Sequence, residues 1–213
     1  MLEILAATVA AAYRSLAGSG LVLGSEGNVS VAERSTGVAL VTAAGLVASE
    51  ATPEGIAVVR LDDGGHLSGP AASSELPTHL ALLRAGHGAV AHAHAPHATA
   101  LGLVADRVPL VLAELAVRAG GAVPVIPYVP AGTAEMGEAV RDALAAGDVR
   151  AVVIRNHGVV AAGADVTSAL FALIATEEAA RVALLARLVG EPPELEGPEV
   201  DRLRAAGGLP PRR

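Results

Sequence analysis

The stretch Ala89-Val90-Ala91-His92-Ala93-His94-Ala95-Pro96-His97-Ala98-Thr99 decides how the chain is organised. Its first half is a short apolar run ending in two histidines, and its second half opens on a proline. A strand over Ala89–His94 accounts for the run. Pro96, whose fixed φ suits the first helical turn, starts a helix reaching about Leu103. Side chains of a strand repeat with a period of two, so His92 and His94 project from one face at its end. Two imidazoles at the mouth of a strand can form adjacent corners of a tetrahedral zinc site. The alternative is a pair of structural rings bonded to backbone carbonyls.

On either side of this stretch the pattern alternates between the two periods. Leu2, Leu5, Val9, Tyr13 and Leu16 predict a helix over residues 2–17, stopped by Gly18 and Gly20. Short β-like segments follow: Val29–Val31, Val38–Thr42 after a turn at Ser35–Gly37, Val58–Leu61, and His66–Ser68 after the hairpin signal Asp62–Gly65. Glu75–Ala85 is helical, with Leu76, Leu80 and Leu83 on one side. Beyond the central stretch come extended pieces at Val108–Leu112 and Ala122–Val125, and a helix at Thr133–Ala145 with Met136, Val140 and Leu144 in register. Val149–Ile154 and Gly158–Ala161 flank a tight turn. Asp165 caps a long helix to about Val189, ended by Gly190 and Pro192–Pro193. The remaining residues, 191–213, are a Pro/Gly-rich tail with one short helix around Glu199–Ala206. No linker or repeat divides the chain, so the expectation is one α/β or α+β domain.

Composition closes off several chemistries. The 213 residues carry 15 basic and 22 acidic side chains, a net −7, and nothing in that balance attracts a nucleic-acid backbone. There is no Cys, which excludes disulfides, thiolate–zinc sites and cysteine nucleophiles. Every basic residue is Arg. Without lysine there is no Schiff base, no internal pyridoxal aldimine and no ordinary P-loop. Carbonyl activation must come from hydrogen bonds or a metal. The mean hydropathy of +0.51 reflects Ala and Gly rather than a membrane span, because no apolar run approaches the ~20 residues a span needs. Glu3 near the start and the lack of a basic leader argue against a secretion signal, so the expected location is the cytoplasm.

The chemistry-bearing residues cluster in a few turns. His157 sits in Asn156-His157-Gly158 between two β-branched segments, placed to bring a third imidazole beside His92 and His94, or else simply exposed. Gly158 permits a positive φ or a close backbone approach. Glu75 follows Ser73-Ser74 at a helix start, where hydroxyls and free N–H groups favour an anion. It could equally be a first-turn glutamate satisfying the helix dipole. Gly24-Ser25-Glu26-Gly27-Asn28-Val29-Ser30, Thr42-Ala43-Ala44-Gly45 and Ser73-Ser74 form three small-residue turns suited to cradling a phosphate without lysine.

In order and spacing, Gly27-Asn28-Val29-Ser30, Thr42-Ala43-Ala44-Gly45, Ser73-Ser74-Glu75, His92-Ala93-His94 with His97-Ala98-Thr99, Ala119-Gly120-Gly121 and Asn156-His157-Gly158 resemble the class II aldolase/adducin family, in its L-fuculose-phosphate aldolase type. The resemblance runs from about Leu5 to Leu188. It implies a three-layer α/β/α fold with a central, mostly antiparallel sheet over residues 1–190, and a homotetramer with active sites at subunit interfaces. It also implies Zn2+ (with Mn2+ or Co2+ as substitutes) on His92, His94, His157 and Glu75, and Glu75 as the catalytic acid/base. Gly27, Asn28, Gly45, Ser73 and Ser74 match the family's phosphate-binding positions. The implied reaction is aldol cleavage or formation of a C–C bond in a sugar phosphate, such as a ketose 1-phosphate, through a metal-stabilised enediolate.

Within the family, an epimerase, a 3-oxo-acid decarboxylase and a non-catalytic adducin-like scaffold are the other outcomes. Two positions depart from the pattern. Ala44 stands where the family commonly has Ser or Thr. Glu114 falls near the position of a catalytic Tyr supplied across the interface, leaving Glu114 and Arg118 as the polar groups there.

Overall fold

A computed structural model describes residues 1–209. Among them, the β-branched runs form nine strands of one sheet: β1 (Asn28–Glu33), β2 (Val38–Thr42), β3 (Ile56–Arg60), β4 (His66–Ser68), β5 (Ala89–Ala93), β6 (Arg107–Val108), β7 (Val123–Ile126), β8 (Ala151–Ile154) and β9 (Gly158–Gly163). Their spatial order is β4-β3-β2-β1-β5-β9-β8-β7-β6. Every pairing is antiparallel except β7 with β8. The central, mostly antiparallel sheet that the resemblance implies is therefore present.

The histidine-bearing strand is central. β5 lies between β1 and β9, with Asn28 opposite His92 across one seam and Val160 opposite His92 across the other. Residues 89–93 are all buried, which explains why this strand is a continuous apolar run rather than an alternating one.

The helices are α1 (Leu2–Gly18), α2 (Leu76–Arg84), α3 (Pro96–Gly102), α4 (Ala113–Ala119), α5 (Ala134–Gly147), α6 (Val166–Ala186) and α7 (Pro198–Ala206). Strand parity sorts the core into two halves. Val90, Val152, Ile154 and Val160 face Leu80, Leu82 and Leu83 of α2 and Met136, Val140 and Leu144 of α5. Val29, Val31, Ala91, Val153 and Val159 face the opposite layer, with Tyr13 of α1, Leu101 of α3, Leu115 of α4 and Leu173 of α6. Ala, Val and Leu line most of both interfaces, and aromatic residues are nearly absent from them.

The long helix starts as its sequence predicts. The Asp165 carboxylate accepts the Ser168 N–H at 2.7 Å, and the Ser168 hydroxyl in turn accepts the Asp165 N–H at 3.1 Å, a capping box. Two segments differ from expectation. The extended piece expected at Val108–Leu112 shrinks to two paired residues, Arg107 and Val108, and α4 begins at Ala113, after residues 109–112. The α4 sequence is short and Ala-rich and has no side-chain N-cap; left-handed Gly120 closes its C-terminal end, and the helix packs on α6 and α7.

The short tail helix is present as α7. It buries Val200 and Arg204, and the Arg204 guanidinium bonds the carbonyls of Gly120 and Asp148 and the Asp148 carboxylate. No described helix is long and apolar enough to cross a membrane. Replacing Arg204 with Ala should lower the unfolding free energy by roughly 3 kcal/mol, because a fully buried guanidinium leaves carbonyl partners unsatisfied. Urea denaturation measures it; a change within error would mean that α7 is not anchored through this residue.

Candidate active site

β5 delivers His92 at its end, and the chain carries His94 two residues on, past the strand. The β8–β9 turn brings His157. Asn156 takes the left-handed conformation in that turn, at φ 59°. Gly158 serves the other purpose open to it: a Cβ there would lie 2.5 Å from the Ala93 carbonyl oxygen and 3.1 Å from His92 Cε1. Close approach, rather than positive φ, is what demands glycine. The three rings pack edge to face, with centroids 4.8–5.2 Å apart. One ligand nitrogen from each lies within 4.8 Å of the others, a spacing that admits a single ion.

Glu75 stands over this group from the N-cap of α2, with Oε2 at 3.2 Å from His92 Nε2 and Oε1 at 3.2 Å from His157 Nε2. His92 Nδ1 lies 2.9 Å from the Val159 carbonyl oxygen and must donate its proton there, since a carbonyl only accepts. In the neutral ring that leaves a lone pair on Nε2, aimed at the carboxylate. Burial favours this neutral ring and pushes the His92 pKa down to about 4, against the opposing pull of Glu75. Burial works to raise the Glu75 carboxyl, but His157, His92 and the Asn28 amide outweigh it and hold the group well below the usual carboxylate range.

An anionic oxygen therefore faces a bare imidazole nitrogen on His92, and Glu75 Oε1, His92 Nε2 and His157 Nδ1 have no hydrogen-bond partner. A divalent cation resolves that conflict. Three nitrogens plus one carboxylate oxygen are a donor set that suits Zn2+.

The site opens into a cavity of about 260 Å³, lined by Ser25–Asn28, Ala43–Gly45, Ser73–Glu75, His94, Ala131 and His157. All three small-residue turns thus meet at the imidazole group. Backbone bonds tie them together: Ala44 N–H to the Ala71 carbonyl at 2.9 Å, Ser73 N–H to Thr42 at 3.0 Å, and Ala48 N–H to Gly24 at 2.8 Å. The buried Tyr13 hydroxyl joins two of them again, facing the carbonyl oxygens of Glu26, Gly27 and Leu46 at 2.9, 3.0 and 3.3 Å. At Gly27, φ is +71°, and a Cβ would lie 2.5 Å from the His92 carbonyl oxygen. The phosphate-type turn and the histidine strand are in backbone contact there.

With this geometry in view, comparison with known proteins is decisive. Residues 7–184 match the family model described as the class II aldolase and adducin N-terminal domain. The chain belongs to the class II aldolase and adducin family. A 5-deoxy-D-ribulose 1-phosphate aldolase of Bacillus thuringiensis serovar kurstaki is 30% identical over 193 residues, 89% of each chain. An L-fuculose phosphate aldolase of Escherichia coli K12 is 32% identical over 184 residues, 85% of this chain and 83% of that protein. A solved L-fuculose 1-phosphate aldolase superposes with a TM-score of 0.88 at 27% identity, covering 96% of both chains.

Within this family fold, His92, His94, His157, Glu75, Gly27, Asn28, Gly45, Ser73 and Ser74 all reach one locality. Asn28 is engaged differently from a free phosphate donor: its Nδ2 donates to Glu75 Oε2 at 2.6 Å, and its Oδ1 accepts from His79. Glu114 and Arg118 pair with each other on α4 at 2.6 Å, Arg118 lies 4.7 Å over the Phe171 ring, and neither lines the histidine cavity of its own chain. Sequence reasoning missed Glu26, which stands 3.5 Å from His94 Nδ1, and the roles of Tyr13 and His79. The i,i+4 pair Glu75/His79 opposite the i,i+2 pair Asn28/Ser30 was the available signal.

Replacing Tyr13 with Phe should reduce unfolding free energy by about 1–3 kcal/mol, since its hydroxyl is the shared partner of both glycine turns; equilibrium urea unfolding gives the value. Acid should destabilise the metal-free protein well above the carboxylate range. His79 and His92 are buried neutral with pKa values near 4, whereas their unfolded values lie near 6.5. Between those values the unfolded chain binds more protons, so stability is full above about pH 6.5 and falls as pH drops toward about 4. Equal urea midpoints at about pH 7.5 and about pH 5 would contradict this.

Proposed function

We propose that this protein is a zinc-dependent aldolase, a lyase that cleaves or forms a C–C bond in a sugar phosphate of the ketose 1-phosphate class. The supporting observation is the buried Glu75 carboxylate facing the unprotonated Nε2 of His92, with the His157 ring beside it, at the floor of a cavity whose walls are small-residue, backbone-rich turns. His92, His94 and His157 would hold the ion, with Glu75 as a fourth, displaceable ligand. Mn2+ or Co2+ would fit the same donors. The ion, when bound, supplies Lewis-acid stabilisation of negative charge on the substrate carbonyl oxygen, a role that a lysine-free chain cannot give to an amine.

The chain's own groups do the rest. Gly27, Asn28, Gly45, Ser73 and Ser74, with the N-terminus of α2 behind them, receive the phosphate and orient the sugar. Glu75, once displaced, moves a proton to or from the carbon next to the carbonyl. Ala44 has no side-chain donor and its N–H is bonded to the Ala71 carbonyl, so the anion is gripped with one hydroxyl fewer than a Ser or Thr would give. The names of the relatives, a 5-deoxyribulose 1-phosphate aldolase and a fuculose phosphate aldolase, point to the same substrate class.

The functional unit is residues 1–190, the location is the cytoplasm, and the assembly is a homotetramer. Exposed apolar residues at the end of α6 and just beyond it (Leu185, Leu188, Val189) and at the start of α1 (Leu2, Ile4) supply surface that an assembly would cover.

Metal analysis of the purified protein should find about one divalent ion per chain. Glu75→Gln should retain that ion on three histidines while turnover of L-fuculose 1-phosphate or 5-deoxyribulose 1-phosphate falls by about 10²–10⁴-fold. A metal-free native protein would end the proposal, and undiminished turnover in Glu75→Gln would remove Glu75 from its role.

A further inference from the structure

Behind Glu75 lies a row of buried polar groups that the proposed reaction does not use. Ser30 and His79 are fully or almost fully buried, and Asn28 nearly so. They form one chain: Ser30 Oγ is 2.6 Å from His79 Nδ1, His79 Nε2 is 2.5 Å from Asn28 Oδ1, and Asn28 Nδ2 is 2.6 Å from Glu75 Oε2. The row exists because two periodicities match. Two residues along β1 span about 6.6 Å, and four residues along α2 span about 6 Å. Asn28 and Ser30 on one strand face therefore meet Glu75 and His79 on one helix face, rung against rung.

The direction of every bond in the row follows from its end. An ionised Glu75 only accepts, so Asn28 must present its NH2 to it, and Oδ1 must face His79. Oδ1 also only accepts, so the proton of the imidazole is on Nε2. The bare Nδ1 then accepts the Ser30 hydroxyl proton. Burial keeps the ring neutral, pushing its pKa down to about 4. Turning the Asn28 amide over would set its oxygen against the Glu75 carboxylate at the same short distance, and His79 holds the amide against that turn.

The geometry points to His79 as a positioning residue for Glu75. Its Nε2–H, in a tautomer selected by Ser30, locks the Asn28 amide with its nitrogen toward the carboxylate and so sets the place from which Glu75 works. This rests on Glu75 being the proton carrier of the proposed aldolase, although the hydrogen-bond row itself can be read without any turnover.

Long-range 1H–15N spectra of metal-free protein labelled with 15N at histidine and asparagine, assigned with His79→Gln, should show His79 neutral with the proton on Nε2. The Asn28 side-chain amide should carry one strongly downfield proton from its bond to Glu75. That proton should move toward the random-coil position in His79→Leu and largely return in His79→Gln, whose amide N–H can still reach Oδ1. In zinc-loaded protein assayed with L-fuculose 1-phosphate and 5-deoxyribulose 1-phosphate, His79→Leu should lose about 10–100-fold in kcat with KM little changed, and His79→Gln should recover most of it.

A proton on Nδ1, an Asn28 amide indifferent to both substitutions, or a His79→Gln variant as impaired as His79→Leu would overturn the assignment. Should His79→Leu fail to fold, Ser30→Ala replaces it, with a mixture of His79 tautomers expected and a single unchanged tautomer counting against the proposal. A wild-type protein that binds no zinc sinks the aldolase reading instead, and the spectra of that same protein still decide the role of His79.

Discussion

The constraint on which the structure turns is an unshared one: a buried carboxylate set against a His92 nitrogen that has no proton to offer it. Burial keeps His92 neutral, and the Val159 carbonyl takes its only N–H, so the lone pair on Nε2 has to face Glu75. Arranged this way without a cation, the group would be repulsive, and a fold keeps such an arrangement only when something else over-determines it. Here the sheet does so. His92 is clamped between β1 and β9, the tight β8–β9 turn fixes His157, and the first turn of α2 fixes Glu75.

The same constraint explains where the small residues fall. Gly27 and Gly158 are the two places at which a neighbouring backbone passes too close to the histidine strand for any side chain, on opposite sides of β5. The turns that would receive a phosphate are consequently not appendages on a finished domain. They touch the metal-type ligands through the backbone, and Tyr13, the one aromatic ring in the core, spends its hydroxyl on joining them. In a core made of Ala and Val there is little bulk to immobilise loops by packing, and hydrogen bonds to carbonyls take over that work.

Polar burial near Glu75 follows a similar economy. The row from Ser30 to Glu75 satisfies each donor and acceptor in sequence. An internal polar group without a partner costs about 1–3 kcal/mol, and the open ends of this cluster lie on the side of the imidazoles. The asymmetry separates a scaffold, complete without a ligand, from a ligand face that is not.

Much of this protein was legible in its residues because the signals are local. Apolar runs of the right length and period locate most strands and helices, Asp165 announces the long helix, and the absence of lysine and cysteine removes whole reaction classes without reference to any structure. His-Ala-His at a strand end places two rings on one face by parity alone, and the ordered turn motifs carry the family. α4 was not legible, because a short alanine-rich segment becomes helix or extended chain according to what it packs on, and here it packs on α6 and α7.

Tertiary structure alone decided the rest. Whether Asn156-His157-Gly158 points inward or into solvent depends on how β9 pairs with β5, and whether Glu75 is a helix-dipole glutamate or a buried group depends on what lies above α2. His79 is one more histidine in the sequence. It acquires its place only when a strand step of two residues comes to lie against a helix step of four, a coincidence of lengths that exists in space and has no counterpart along the chain.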